Sequence, residues 1–237
     1  MFGINMERKK IAIAALVIGV LGIALEAVQI VLYESHLSAE WSYPASQWNY
    51  LAFFTVITNL MVDLWLVAVA LSVFFKWKRV YSFLTLPAIQ GALVLYISTV
   101  GIVYCTLLFW FIGPYSMELW WANLIDMWNH LILPVGAVIL FWLTPHTRKL
   151  NKSTVGWWLV WPVVYFLLSE IRGLVWDWYP YPFLKPSWFL FPFGITVTVG
   201  CFVGIGFLIV WLHNKKVDKL TKTCPYSNTC KVKNKSA

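Results

Sequence analysis

The stretch Trp48–Phe75, WNYLAFFTVITNLMVDLWLVAVALSVFF, decides how this chain is read. It is long and apolar enough to cross a bilayer as a helix. Near its start, however, it carries Thr55, Asn59 and Asp63 at i, i+4 and i+8. That spacing sets the three along one helical face, with Thr58 about 60° round the helix. A carboxylate or amide turned toward lipid costs several kcal/mol unless it is paired or faces a wet cavity. The face must therefore point into protein, and the rest of the chain has to supply its partners.

Of the 237 residues, 60% are hydrophobic, only 12% are charged and sixteen are Trp, which is the composition of an integral membrane protein rather than a soluble domain. The apolar runs predict an all-α polytopic bundle of six transmembrane helices, at about 11–33, 50–75, 86–111, 118–143, 155–175 and 193–212. Residues 1–214 form this one domain, and 215–237 read as a disordered basic tail. The first run follows Arg8–Lys10 like a signal peptide. It is about twice the length of an h-region and has no small-x-small exit, so it reads as a retained span. The net charge of +8 sits at span ends rather than on an amphipathic surface, which makes it a topology signal and not a nucleic-acid footprint. Sixteen of the eighteen Lys and Arg fall on one side, and by the positive-inside rule both termini are cytoplasmic. Four dispersed cysteines, with Cys224 and Cys230 in the tail, suggest no disulfide framework.

The fourth span is the second polar helix. Asn123, Asp126 and His130 lie at i, i+3 and i+7 on one face, with Asn129 beside them. His130 is about 16 to 18 Å from the start of its span, near the bilayer midplane. Pro134 frees the His130 carbonyl from its helix bond and can kink the helix there. Glu26 and Gln29, one turn apart near the end of the first span, either touch interfacial water or turn inward toward the polar stripe. Glu170 and Arg172 approach from the same side. The segment WDWYPYPFLKPSWFLFP, residues 176–192, is too stiff and apolar for a solvated loop; it lies in the interface or folds back over the bundle mouth. These groups converge on one half of the bundle, an apolar-walled site with few polar groups.

A histidine beside hydroxyls in a low-dielectric pocket can act as a general base and make a threonine nucleophilic. It can equally be a hydrogen-bonded core residue. His36, His130, His146 and His213 are too scattered to form a metal ligand set, and no phosphate-binding glycine loop or Gly-x-Ser-x-Gly elbow is present. No cofactor is expected.

The segments Phe54–Leu60 (FTVITNL) and Trp128–Pro134 (WNHLILP), then Tyr165, Arg172–Gly173 and Tyr179–Phe183 (YPYPF), resemble the microbial six-span branch of the androgen-induced protein superfamily. The likeness runs in order and spacing to about Leu212. Animal members are membrane threonine hydrolases that split fatty acid esters of hydroxy fatty acids. The resemblance implies His130 as the base and Thr55 as the nucleophile, with Thr58 one turn away; a different gap sets the threonine position on Ala52. It also implies a lipid or fatty acyl ester substrate and a bacterial cytoplasmic membrane. In that reading Asn59 or Asn129 donates to the oxyanion, Asp126 orients the imidazole, and Asn123, Arg172 and Glu26 line the substrate site.

Two other readings compete with hydrolysis. A transporter or binding protein would use Glu26, Asp63 and Asp126 as proton or cation sites. A structural partner protein would present the aromatic segment 176–193 as its interface.

Overall fold

The computed structural model describes residues 6–32, 50–109, 120–146 and 148–223. Among them the ordered elements are helical, and six helices are long and apolar enough to cross a membrane. In chain order they are α1 (Met6–Leu32), α2 (Phe54–Phe74), a short α3 (Lys78–Leu84) and α4 (Pro87–Val103), which runs on into a π-helical turn at Tyr104–Leu108. The fourth span is broken into α5 (Trp120–Met127), a second π-helical turn at Trp128–Ile132 and α6 (Leu133–Leu143). Then follow α7 (Ser153–Trp176), a 3₁₀ turn at Pro182–Leu184 and α8 (Phe191–Thr223).

The bundle is apolar outside and polar within. Leu174, Trp157 and Phe189 are about four-fifths exposed, while Glu26, Thr58, Asn59 and Asp63 are fully buried, the pattern of a protein whose outer solvent is lipid. Spans 2 and 3 form the centre: 56% and 61% of their most apolar windows are buried, against 22% in spans 5 and 6.

Glycines set the close contacts. A methyl group on Gly19 would lie 2.6 Å from the Asp63 carbonyl, and one on Gly22 would strike the Asp63 carboxylate itself, so α1 and α2 touch backbone to side chain. Gly91 receives the flat of Trp158 from α7, whose indole N–H donates to the Ala88 carbonyl at 2.8 Å. Gly101 on α4 faces the His130 carbonyl and the Pro134 ring. The two sequence features thus meet. Pro134 withdraws the donor that the His130 carbonyl would use, the helix loosens into a π-helical turn, and Gly101 makes room for the freed oxygen.

The tail reading needs correction. The last helix runs on to Thr223 rather than ending near Leu212. Lys215 stacks on Trp211 with its ammonium 3.7 Å from the ring centroid, Lys216 donates to the Trp142 and Thr144 carbonyls, and Asp218 pairs with Lys149 at 2.6 Å. Residues 224–237, with Cys224 and Cys230, lie outside the described residues. At the same end Asn214 clamps both the N–H and the carbonyl of Leu150, each at 2.8 Å. His146 packs against His213 and pairs with Gln90 at 2.7 Å.

Candidate functional site

The start of α2 has no side-chain cap of its own, because Phe53 stands where a Ser, Thr, Asp or Asn would normally accept the first free N–H groups. Two tyrosines from elsewhere do this work. Tyr165 Oη on α7 accepts the Phe54 N–H at 3.1 Å and donates to the Ala52 carbonyl at 2.9 Å. Tyr181 Oη, in the connection before α8, accepts the Thr55 N–H at 3.1 Å and pairs with Thr55 Oγ1 at 3.0 Å. The aromatic connection does fold back over the bundle end, burying Trp178, Tyr181, Phe183 and Leu184. Burial pushes the Tyr181 phenol up to about 12, so it stays protonated and cannot serve as a base at neutral pH.

Behind this cap lies a cavity of about 220 Å³, walled by Thr55, Tyr165, Tyr181, Phe54, Phe202 and aliphatic side chains of α4, α7 and α8. Thr55 and the tyrosines form its polar end. Val163 and Val199, which also line it, are both about half exposed, so the cavity opens sideways between α7 and α8 toward the bilayer.

On the other side of α2 lies a polar seam. Tyr50 Oη bonds Glu26 Oε2 at 2.7 Å and lies 2.9 Å from Gln29 Oε1; Asn59 Nδ2 donates to Glu26 Oε1 at 3.2 Å; Asn129 Nδ2 donates to Gln29 Oε1 at 3.1 Å. Glu26 and Gln29 are thus turned inward, 1% and 6% exposed, which decides between the two readings of that pair. Asp63 continues the seam to the middle of α2, with both carboxylate oxygens unpartnered, as are Thr58 Oγ1, Asn59 Oδ1 and Asn129 Oδ1.

The two π-helical turns carry a third cluster. Tyr104 lies flat on the His130 ring, centroids 3.8 Å apart, and its hydroxyl donates to Asp126 Oδ2. His130 Nδ1 faces two acceptors, Asp126 Oδ1 at 2.9 Å and the Asp126 carbonyl at 3.0 Å; the carbonyl takes the better-directed bond and the carboxylate adds its charge. A nitrogen between two acceptors carries the proton, which leaves Nε2 as the basic atom. An acid beside the Nδ1 of an imidazole is an arrangement that hydrolytic triads also use.

The nucleophilic half is elsewhere. Thr55 Oγ1 bonds Tyr181 and no hydrogen bond links it to His130, while Thr58 Oγ1 is buried without a partner. The structure therefore joins Asp126 to His130, Asn59 to Glu26 and Asn129 to Gln29, but leaves Thr55 in a separate compartment. Asn123 Oδ1 is buried and unbonded, and Arg172 lies over the Trp178 ring at 4.5 Å, away from the seam. Residues that the sequence reading gave no role are Tyr50, Tyr104 and the capping tyrosines. Tyr165 and Tyr181 were visible in it only as parts of the family-like segments. No protein-family model, curated protein or solved structure matches this chain.

Proposed function

We propose that this chain is an integral membrane protein, with both termini cytoplasmic, that admits a lipid acyl chain from the bilayer into the cavity beneath Thr55. The observation that carries this reading is the cavity itself, apolar along its length, open toward lipid and closed at one end by three hydroxyls. At about 220 Å³ it falls somewhat below the ~300 Å³ of the smallest drug-sized sites, so it takes part of a chain rather than a whole lipid. The hydroxyls of Thr55 and Tyr181 would meet the carbonyl end.

Hydrolysis of the bound ester by Thr55 is the second reading. It is favoured by the position of Thr55 in the cavity wall and by the resemblance to the microbial branch of the androgen-induced protein superfamily, which also points to a bacterial cytoplasmic membrane. It requires a base that Thr55 does not touch here, since His130 is held by Asp126 and Tyr104.

Both readings are tested on purified protein in lipid nanodiscs. A photoactivatable fatty acid should crosslink to α7 and α8 around Val163 and Val199, and Val199→Trp should abolish the crosslink. Crosslinking unaffected by Val199→Trp would exclude the cavity as the acyl site. Fluorophosphonate labelling lost in both Thr55→Ala and His130→Ala would establish hydrolysis, and absence of labelling in folded wild-type protein would restrict the protein to binding.

A further inference from the structure

Along the polar seam between α1 and α2 several buried acceptor oxygens are left without a partner. These are Asn59 Oδ1, both oxygens of Asp63 and Asn129 Oδ1, on residues 0% to 3% exposed. The amide nitrogens of Asn59 and Asn129 are already spent on Glu26 and Gln29. Two acidic side chains, Glu26 and Asp63, flank the seam one helical turn apart, since Glu26 holds Asn59, one turn before Asp63 on α2, and Gly22, one turn before Glu26 on α1, lies against the Asp63 carboxylate. Gly22, which sits against the Asp63 carboxylate, admits that group where any larger residue would exclude it. Leaving a buried carboxylate wholly unpaired in a membrane interior is among the costliest arrangements available to a protein, and two in one site cannot both stay ionised.

The surroundings offer little positive charge. Glu26 meets Tyr50 and, from α2, Asn59, while His130 of the fourth span is committed to Asp126 and Tyr104. Neither oxygen of Asp63 has a partner, and α4 sends its phenol Tyr96 away to the Trp158 carbonyl. The lysines and arginine that follow α2, Lys76, Lys78 and Arg79, lie more than about 16 Å along the helix from Asp63.

We infer that Glu26 and Asp63, with the Asn59 amide oxygen, form a site for one exchangeable hard monovalent cation, a proton or sodium, at the centre of the membrane span. An all-oxygen donor set suits hard cations. Among the described residues no third His, Cys, Asp or Glu joins the two carboxylates; with one of them protonated, the single negative charge that remains matches a monovalent cation. The unpartnered oxygens are the independent sign of a missing occupant, since buried polar atoms in folded proteins are almost always satisfied. Asp63 is the tenth residue of the 21 in α2, the depth at which coupling ions act in membrane proteins. The site stands apart from the acyl cavity and does not depend on it.

The test uses the full chain in nanodiscs, with thermal unfolding followed by tryptophan fluorescence. Sodium chloride is exchanged for choline chloride at constant ionic strength, and pH is varied separately in choline. A sodium site predicts a melting temperature about 3 to 6 °C higher when sodium is ten times its dissociation constant. A proton site predicts no sodium effect and a melting temperature that falls as rising pH removes the proton. Either response should vanish in Asp63→Asn and weaken in Glu26→Gln. If Asp63→Asn does not fold, infrared difference spectra of the wild type serve instead: sodium addition or raised pH should diminish the protonated carboxyl band. Wild-type protein whose melting and carboxyl bands ignore both sodium and pH, or an Asp63→Asn variant that responds as wild type does, overturns the assignment.

Discussion

Tyr181→Phe isolates the device that starts α2. The ring is kept, with its contacts to Phe53 at 5.4 Å and Phe183 at 5.2 Å, and only the hydroxyl is removed. Two bonds go with it, the Thr55 N–H at 3.1 Å and the Thr55 hydroxyl at 3.0 Å. Thr55 N–H is one of the donors that the helix cannot satisfy internally, and no side chain of residue 53 replaces the phenol. A buried N–H stripped of its partner costs about 1–3 kcal/mol, and loss of an ordinary helix cap about 0.5–2 kcal/mol. A value near 2 kcal/mol follows, or about 4 to 8 °C in melting temperature for a chain of this size. Thr55→Val removes the hydroxyl pair but leaves the N–H bonded to Tyr181, so it should cost less than about 1 kcal/mol. Thermal unfolding of the two variants in nanodiscs measures the difference. Equal losses, or no loss in Tyr181→Phe, would show that Tyr181 does not cap the helix.

Four further outcomes are expected. Gly101→Ala brings a methyl group to within 2.8 Å of the His130 carbonyl, a backbone atom that cannot swing aside, and should destabilise by about 1–3 kcal/mol. Gly136→Ala, with nothing within 4 Å, should be neutral or stabilising by up to about 1 kcal/mol in the same melting assay. Burial first, and then the neighbouring His213 and Lys216, lower the His146 pKa from 6.5 to about 4. Its contribution to stability is therefore complete above pH 6.5 and is lost as pH falls toward 4, because the unfolded chain binds the proton first. A His146→Gln variant should lack that acid-side decline in melting temperature. Asn214→Ala opens both 2.8 Å bonds to Leu150 and should release the 148–152 connection, measured as faster amide hydrogen exchange of Leu150.

The sequence carried the spans because twenty-residue apolar runs leave few alternatives. It carried the inward placement of Asn59 and Asp63 for the same reason, since a polar face inside a membrane has nowhere else to turn. What it missed depends on contacts far apart in the chain. The tyrosine cap joins residues 111 and 126 positions apart, and periodicity is silent at that range. The extension of α8 beyond Leu212 depends on lysines whose stems lie on tryptophan and whose ammonium groups find carbonyls, where composition alone suggests a solvated tail. The single convergent pocket failed for a geometric reason. Residues at i and i+8 share a face only approximately, because 100° per residue leaves a drift of about 80° over eight positions.

That drift separates the two candidate chemistries. Thr55, at one end of the stripe, faces α7 and α8 and meets Tyr181, whereas Asn59 and Asp63 have turned round toward α1 and meet Glu26 and Gly22. His130 lies on the second side, next to Asn129, which bonds Gln29 of α1. For Thr55 to reach His130 by rotation of α2, the helix would have to turn by roughly the drift that separates the two ends. Such a turn would pull Asn59 from Glu26, swing Asp63 off Gly22 and strip two helix-starting N–H groups of their tyrosines. Acyl-chain binding needs none of this movement, and neither does cation exchange at Asp63. A dyad of Thr55 with His130 needs all of it. The arrangement therefore favours the two proposals, an acyl site on one side of α2 and a cation site on the other, over a Thr55–His130 hydrolase.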